Sequence, residues 1–151
     1  MVALRSPNGT NGVAIRVARH HKKDDRMPTK ERLQAFITTC ERGEFVEALQ
    51  GFYAEDATMQ ENGEPPRVGL PALIQNEKRM LERARFDVRQ AASFVLDGDR
   101  AAINWVFEMT ITGVGRVRMD EMAYQEWRGD KIARERFFYD PAQRKPIGPE
   151  T

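Results

Sequence analysis

Residues 52–81 read FYAEDATMQENGEPPRVGLPALIQNEKRML, and the change of period inside this stretch decides the fold. YAEDATMQE reads as a turn into a strand of about five residues, because its apolar positions alternate and Asn62-Gly63 with Pro65-Pro66 forbid continuation. Gly69 then opens a helix whose apolar stripe is Leu70, Leu73, Ile74, Met80, Leu81 and Ala84. The position that completes the spacing between Ile74 and Met80 is Glu77, so one inward slot holds an acid. Glu61, on the strand before the Pro-Pro, raises the same question: a solvated charge, or part of an acidic pocket.

Upstream of this stretch the period is helical. Thr29 can cap a helix running to about Arg42 with Leu33, Phe36, Ile37 and Cys40 on one face, and Gly43 ends it. A second short helix carries Phe45, Val46, Leu49 and Phe52. Downstream, from Phe86, three strands are expected, marked off by LDGD, TGVG and RGDK, Gly-containing turns of the hairpin kind. Three helices followed by an antiparallel meander give an α+β two-layer domain, with the helices covering one face of a curved sheet.

Composition narrows the class. The 24 basic residues nearly cancel the 23 acidic ones, and the resulting formal charge of +1 gives no footprint for nucleic acid or anionic lipid. No stretch reads as a membrane span. The single Cys40 excludes an internal disulfide and a cysteine metal cluster, and a reducing cytoplasm is the compartment expected. Residues 1–27 lack a sustained period and read as a flexible extension, with Met27 ahead of Pro28-Thr29 as an alternative start. The folded domain is assigned to residues 28–141 and a C-terminal tail to 142–151. His20 and His21, the only histidines, fall in the extension and read as solvated.

Element order, together with FYAEDATMQEN, GLPALIQNEKRML and QEWRGDKIARERFFYDP, resembles the nuclear transport factor 2-like superfamily, most closely its SnoaL-like (polyketide cyclase-like) domains. The resemblance spans roughly residues 29–141. It implies a conical α+β barrel enclosing a pocket for a small molecule, a family that works without cofactors and without metals, and frequent back-to-back dimers. Its members include cyclases, isomerases, dehydratases and epoxide hydrolases, as well as binders without turnover. The hydrolases' water-positioning Tyr and Asn fall here on Met59 and Glu61, their strand Arg-x-Asp on Val106 and Glu108, and their final Asp on Phe137. That triad is broken.

Carrying the family's faces over, period-2 alternation points Asn104, Val106 and Glu108 inward from one strand, Met119, Glu121, Ala123, Gln125 and Trp127 from the next, and Glu135, Phe137 and Tyr139 from the last. A two-residue Gly113-Val114 turn would set Thr112 opposite Gly115 and Glu108 opposite Met119, while a bulged loop at Gly129 is needed to keep Glu135 inward. The expected site therefore has Glu61 and Glu108 as catalytic carboxylates, with Met59, Glu77, Asn104, Glu121, Gln125, Glu135, Phe137 and Tyr139 contacting the ligand. Two readings of the acids stand side by side: a cluster with raised proton affinity, or rim residues paired with Arg67, Lys78, Arg79 or Arg118. Trp105, Phe107 and Tyr124 would then lie on the convex face and form a homodimer interface, unless the two faces are reversed. The functional expectation is a cofactor-independent isomerase, dehydratase, cyclase or hydrolase, with a non-catalytic dimeric ligand-binding module as the alternative.

Overall fold

The structure, a computed structural model, describes residues 27–148. The expectations for the N-terminal extension, including His20 and His21, concern residues that lie outside this range, apart from Met27. Helix α1 (Lys30–Glu41) starts where the sequence predicts: the Thr29 hydroxyl accepts from the Arg32 amide at 3.1 Å, and Leu33, Phe36, Ile37 and Cys40 are buried. Helix α2 (Phe45–Phe52) buries Ala48, Leu49 and Phe52. Strand β1 (Tyr53–Glu61) follows without a break, then a two-residue β2 (Arg67–Val68) and α3 (Leu70–Arg83). The meander comprises four strands rather than the expected three, one on each side of every turn: β3 (Ala84–Asp97), β4 (Arg100–Ile111), β5 (Gly115–Arg128) and β6 (Lys131–Phe138).

The six strands form one open sheet in the order β2-β1-β6-β5-β4-β3. It is mixed rather than wholly antiparallel, because β1 and β6 run parallel, with Met59 beside Glu135 and Glu61 beside Phe137. That pairing joins segments far apart in sequence, which no local turn signal announces. The helices pack on the concave face, where Leu33, Leu73, Ile103, Val117 and Ile132 are fully buried. Truncating any of the larger of these would cost about 2–5 kcal/mol, as a cavity in a close-packed core does.

Two registers position the site. The turn between β4 and β5 contains three residues, Thr112 to Val114, so that Ile111 faces Gly115, Glu108 faces Arg118 and Phe107 faces Met119. Gly113 and Gly115 both take positive φ, at 79° and 112°, which a side chain would resist. Relative to the two-residue turn read from the sequence, β4 is displaced by one residue, and its alternation is therefore inverted. On β6 the outcome matches the expectation by a different route. The loop Gly129-Asp130 is the tight one, and the irregularity falls between Ile132 and Arg134, restoring Glu135 to its place opposite Gln125.

Residues 140–147 dock on β5. Asp140 caps a single 3-10 turn (Pro141–Arg144), Gln143 exchanges hydrogen bonds with both backbone groups of Asp120, and the Ile147 amide donates to the Arg116 carbonyl at 2.8 Å. These contacts follow the part of β5 that lies beyond its last pairing with β6, at Met122.

Candidate functional site

Between the concave sheet face and the helices lies a cavity of about 670 Å³. Its walls are mainly apolar: Phe36, Leu49 and Met59 on one side, and Trp105, Phe107 and Met119 on the other. Trp105 and Phe107, alternate residues of β4, stack with ring centroids 5.4 Å apart. The shifted register puts them here, not on the convex face where the sequence reading placed them.

Polar groups enter this apolar space from three strands and one helix. Glu135 is 1% exposed and Gln125 is wholly buried, and they face each other across the β5–β6 pair. The Tyr53 hydroxyl donates to Glu135 Oε1 at 2.7 Å, the Gln125 amide nitrogen donates to Glu135 Oε2, and the Trp127 indole N–H donates to Gln125 Oε1 at 3.0 Å. The indole thus fixes which way the Gln125 amide points, and the amide in turn presents a donor to the carboxyl. Burial pushes the Glu135 carboxyl up to about 7, even though both donors favour its charged form and pull the other way. The same burial, reinforced by Glu135, raises the Tyr53 hydroxyl well above its ordinary value, so it remains a donor at neutral pH.

Glu121 projects from β5 into the same space, its strand partner being Trp105. Desolvation first, then repulsion by Glu135 and Glu61, lifts its carboxyl to about 8, while Arg144 acts in the opposite sense and is outweighed. Glu77 enters from α3, as the broken stripe of that helix predicts, and desolvation raises it too against the pull of Arg67. Cys40 lines the cavity as a buried thiol whose ionisation is suppressed by burial and by Glu135.

Glu61 lies at the mouth. Its carboxylate sits between two guanidiniums, 3.2 Å from Arg144 Nη2 and 3.6 Å from Arg67 Nη2. Tyr139 lies beside it and accepts from Arg144. Met59 and Phe137 line the wall. Of the ten positions singled out from sequence, eight are thus at or beside the cavity, and two are not.

Glu108 and Asn104 point to the convex face. Glu108 is clasped by Arg116 and Arg118, whose hydrogen bonds hold its carboxyl below the usual carboxylate range. The Asn104 amide donates to Asp120 Oδ1 at 2.7 Å. Neither can meet Glu61, so the pairing of Glu61 with Glu108 is corrected: the inverted alternation of β4 separates them by the thickness of the sheet. Sequence reasoning missed Tyr53, Trp105, Phe107 and Arg144 as site residues. The first was given no place in the expected site, the next two followed the wrong register, and the last fell in the segment assigned to a tail.

A family model described as a SnoaL-like domain matches residues 33–135. The chain belongs to the SnoaL-like family. Among solved structures, a protein from Mesorhizobium loti provisionally described as a SnoaL-like polyketide cyclase is 26% identical, with a TM-score of 0.67 over 72% of this chain and 97% of that one. A protein with a ketosteroid isomerase-like fold from Catenulispora acidiphila, in complex with trimethylamine, is 18% identical, with a TM-score of 0.65 over 76% and 89%. An LEH-like epoxide hydrolase from M. tuberculosis is 17% identical, with a TM-score of 0.62 over 75% and 83%. The last two are likenesses of fold. No curated protein matches the chain. SnoaL-like architecture accounts for the open cone and its pocket, while the chemistry must come from the side chains in it. Among the described residues no helix is long and apolar enough to cross a membrane, and no group of three His, Cys, Asp or Glu is disposed to hold a metal.

Proposed function

We propose that this SnoaL-like domain is a cofactor-independent enzyme that moves a proton on a small, largely apolar carbonyl or hydroxyl compound, with Glu135 as base and Glu121 as acid. The observation that carries this reading is the placement of Glu135. A carboxyl with no cation partner among the described residues is enclosed at the wall of an apolar cavity and oriented by Tyr53 and Gln125. Two hydrogen-bond donors aimed at a carboxylate pre-organise it to receive a proton, while burial keeps its affinity for that proton high.

Glu121 and Glu135 then divide the work. Near neutral pH a carboxyl at about 8 keeps its proton while one at about 7 is ready to accept. Environments that push paired acids apart in this way are how one site supplies both an acid and a base. Glu61, expected from sequence to be catalytic, serves instead to organise the arginines of the mouth. Isomerisation, dehydration and cyclisation all require such a transfer, and the polyketide cyclase description of the Mesorhizobium relative is compatible with it.

Deuterium incorporation at the α-carbon of small cyclic ketones, followed by proton NMR, tests the reading. Exchange should depend on the protein, fall by about two orders of magnitude in Glu135→Gln, and follow a bell between limbs near 7 and 8 in the wild type. Ketones that bind without exchanging would favour the binding-module alternative. We also propose self-association through the convex face. Met122, Tyr124 and Phe138 are exposed there to 42%, 39% and 43%, an apolar patch on a sheet face that the helices do not cover. Of the three residues first assigned to that interface, only Tyr124 lies on it.

A further inference from the structure

The SnoaL-like match ends at residue 135, yet the mouth of the cavity is completed by residues beyond it. Phe137 and Tyr139 extend the wall. Arg144 then returns over the opening because the 3-10 turn is pinned to β5 through Gln143 and Ile147. Its guanidinium lies 5.1 Å from the centroid of the Tyr139 ring, and its Nη2 contacts both Glu61 and the Tyr139 hydroxyl. Both contacts use the same nitrogen. Nε and Nη1 have no partner among the described residues, and Arg67, on the other side of Glu61, contacts that carboxylate only at 3.6 Å. Arg144 and Arg67 thus share Glu61 at the rim, where the exposed Arg79, Glu82 and Arg83 of α3 also line the cavity, leaving the arginines in excess of the carboxylates.

The interior has the opposite character. Among the described residues Glu135 has no basic partner, and its side-chain hydrogen bonds are to the neutral Tyr53 and Gln125. The cavity is therefore acidic inside, apolar along its length and cationic at its rim. We propose that its ligand is an apolar carboxylic acid bound with the carboxylate at Arg144 and Arg67 and the body against Trp105 and Phe107, and that Arg144 is the residue that sets this specificity. A guanidinium offers a planar pair of N–H donors matched to the two oxygens of a carboxylate, whereas a neutral amide brings a single oxygen and no charge. Such a ligand presents its far end, bearing a carbonyl or hydroxyl, to Glu121 and Glu135. The inference rests on the cavity being the ligand site, and it adds the class of ligand and the direction of entry.

The test compares 4-phenylbutyrate with 4-phenylbutyramide, two probes alike in shape, by isothermal titration of the full chain. The carboxylate should bind roughly tenfold more tightly to the wild type, the difference expected of a charge-assisted pair at a partly exposed site. In Arg144→Gln the preference should shrink to less than about twofold while the amide's affinity is unmoved, and Arg67→Gln should reduce it in part. Arg144 is half-exposed, and near-ultraviolet circular dichroism checks that the variant keeps its packing. Equal affinity of the two probes for the wild type, or an Arg144→Gln change that weakens both alike, would overturn the carboxylate assignment and leave the proton-transfer reading standing. Failure of both probes to bind, with the Trp105 fluorescence unaffected, would remove the cavity itself as the ligand site.

Discussion

Replacing Glu135 with glutamine should change the pH dependence of stability more than stability at any one pH. In the folded chain the carboxyl is raised from 4.5 to about 7 by burial. Below 4.5 it is protonated folded and unfolded, and there is no penalty. As pH rises from 4.5, the unfolded state loses the proton while the folded state keeps it, so stability falls until about pH 7 and is level above. At about 1.4 kcal/mol per pH unit, that interval is worth about 3 kcal/mol. Glutamine does not titrate, so the penalty is absent. It brings its own defect, because its amino group meets donors from Tyr53 and Gln125, at about 1–3 kcal/mol. That defect is the same at every pH and cancels when the variant and the wild type are compared across pH. Urea unfolding at pH 5, 6, 7 and 8 should show the variant gaining on the wild type by about 2–3 kcal/mol over the series, with unchanged m-values. A difference that stays constant to within about 0.5 kcal/mol would refute the reasoning, since a carboxyl that ionises normally in the fold has no such linkage.

Trp105→Ala should weaken binding of an apolar probe by about tenfold or more without altering the mass of the protein in solution, as measured by titration and by sedimentation; a change in assembly state instead would return Trp105 to the convex face. Phe138→Arg, or Met122→Arg, should shift a convex-face dimer toward monomer in sedimentation equilibrium while leaving probe binding intact. Glu108→Ala removes an exposed pairing with Arg116 and Arg118, and should leave both the melting temperature and ketone exchange close to wild type. Trp127→Phe removes the donor that fixes Gln125, so the amide gains a second orientation, and the exchange rate should fall although Glu135 is intact.

The helices were legible in the sequence because each carries its own evidence: the Thr29 cap, the spacing of Leu33, Phe36, Ile37 and Cys40, and the acid that breaks the stripe of α3 at Glu77. The inward positions of β5 were legible by alternation once the family's faces were carried over, and with them Glu121 and Gln125; Glu135 was placed inward only by expecting a bulged loop at Gly129, whereas the irregularity lies further along β6. What failed was a single count. Between Ile111 and Gly115 the chain reads Thr-Gly-Val, and glycines at both 113 and 115 permit a two-residue or a three-residue turn equally well. The choice is made by the rest of the structure, in part by the Thr112 amide donating to the Arg83 carbonyl at the end of α3. One residue there moved Glu108 out of the site and Trp105 into it. The docking of residues 141–148 escaped notice for a different reason: it depends on isolated polar contacts, Gln143 to Asp120 and Arg144 to Glu61, which leave no apolar period to read.

The central claim, a proton-holding pair of carboxyls inside the cavity, is tested most directly by a carbon-detected NMR titration of the full chain with labelled glutamate side chains. Glu121 and Glu135 should titrate near 8 and near 7, and each signal should vanish in its own Glu→Gln variant. If instead Glu121 and Glu135 both titrate within about half a unit of the ordinary glutamate value near 4.3, neither carboxyl holds a proton at neutral pH and the acid–base reading of this cavity is wrong.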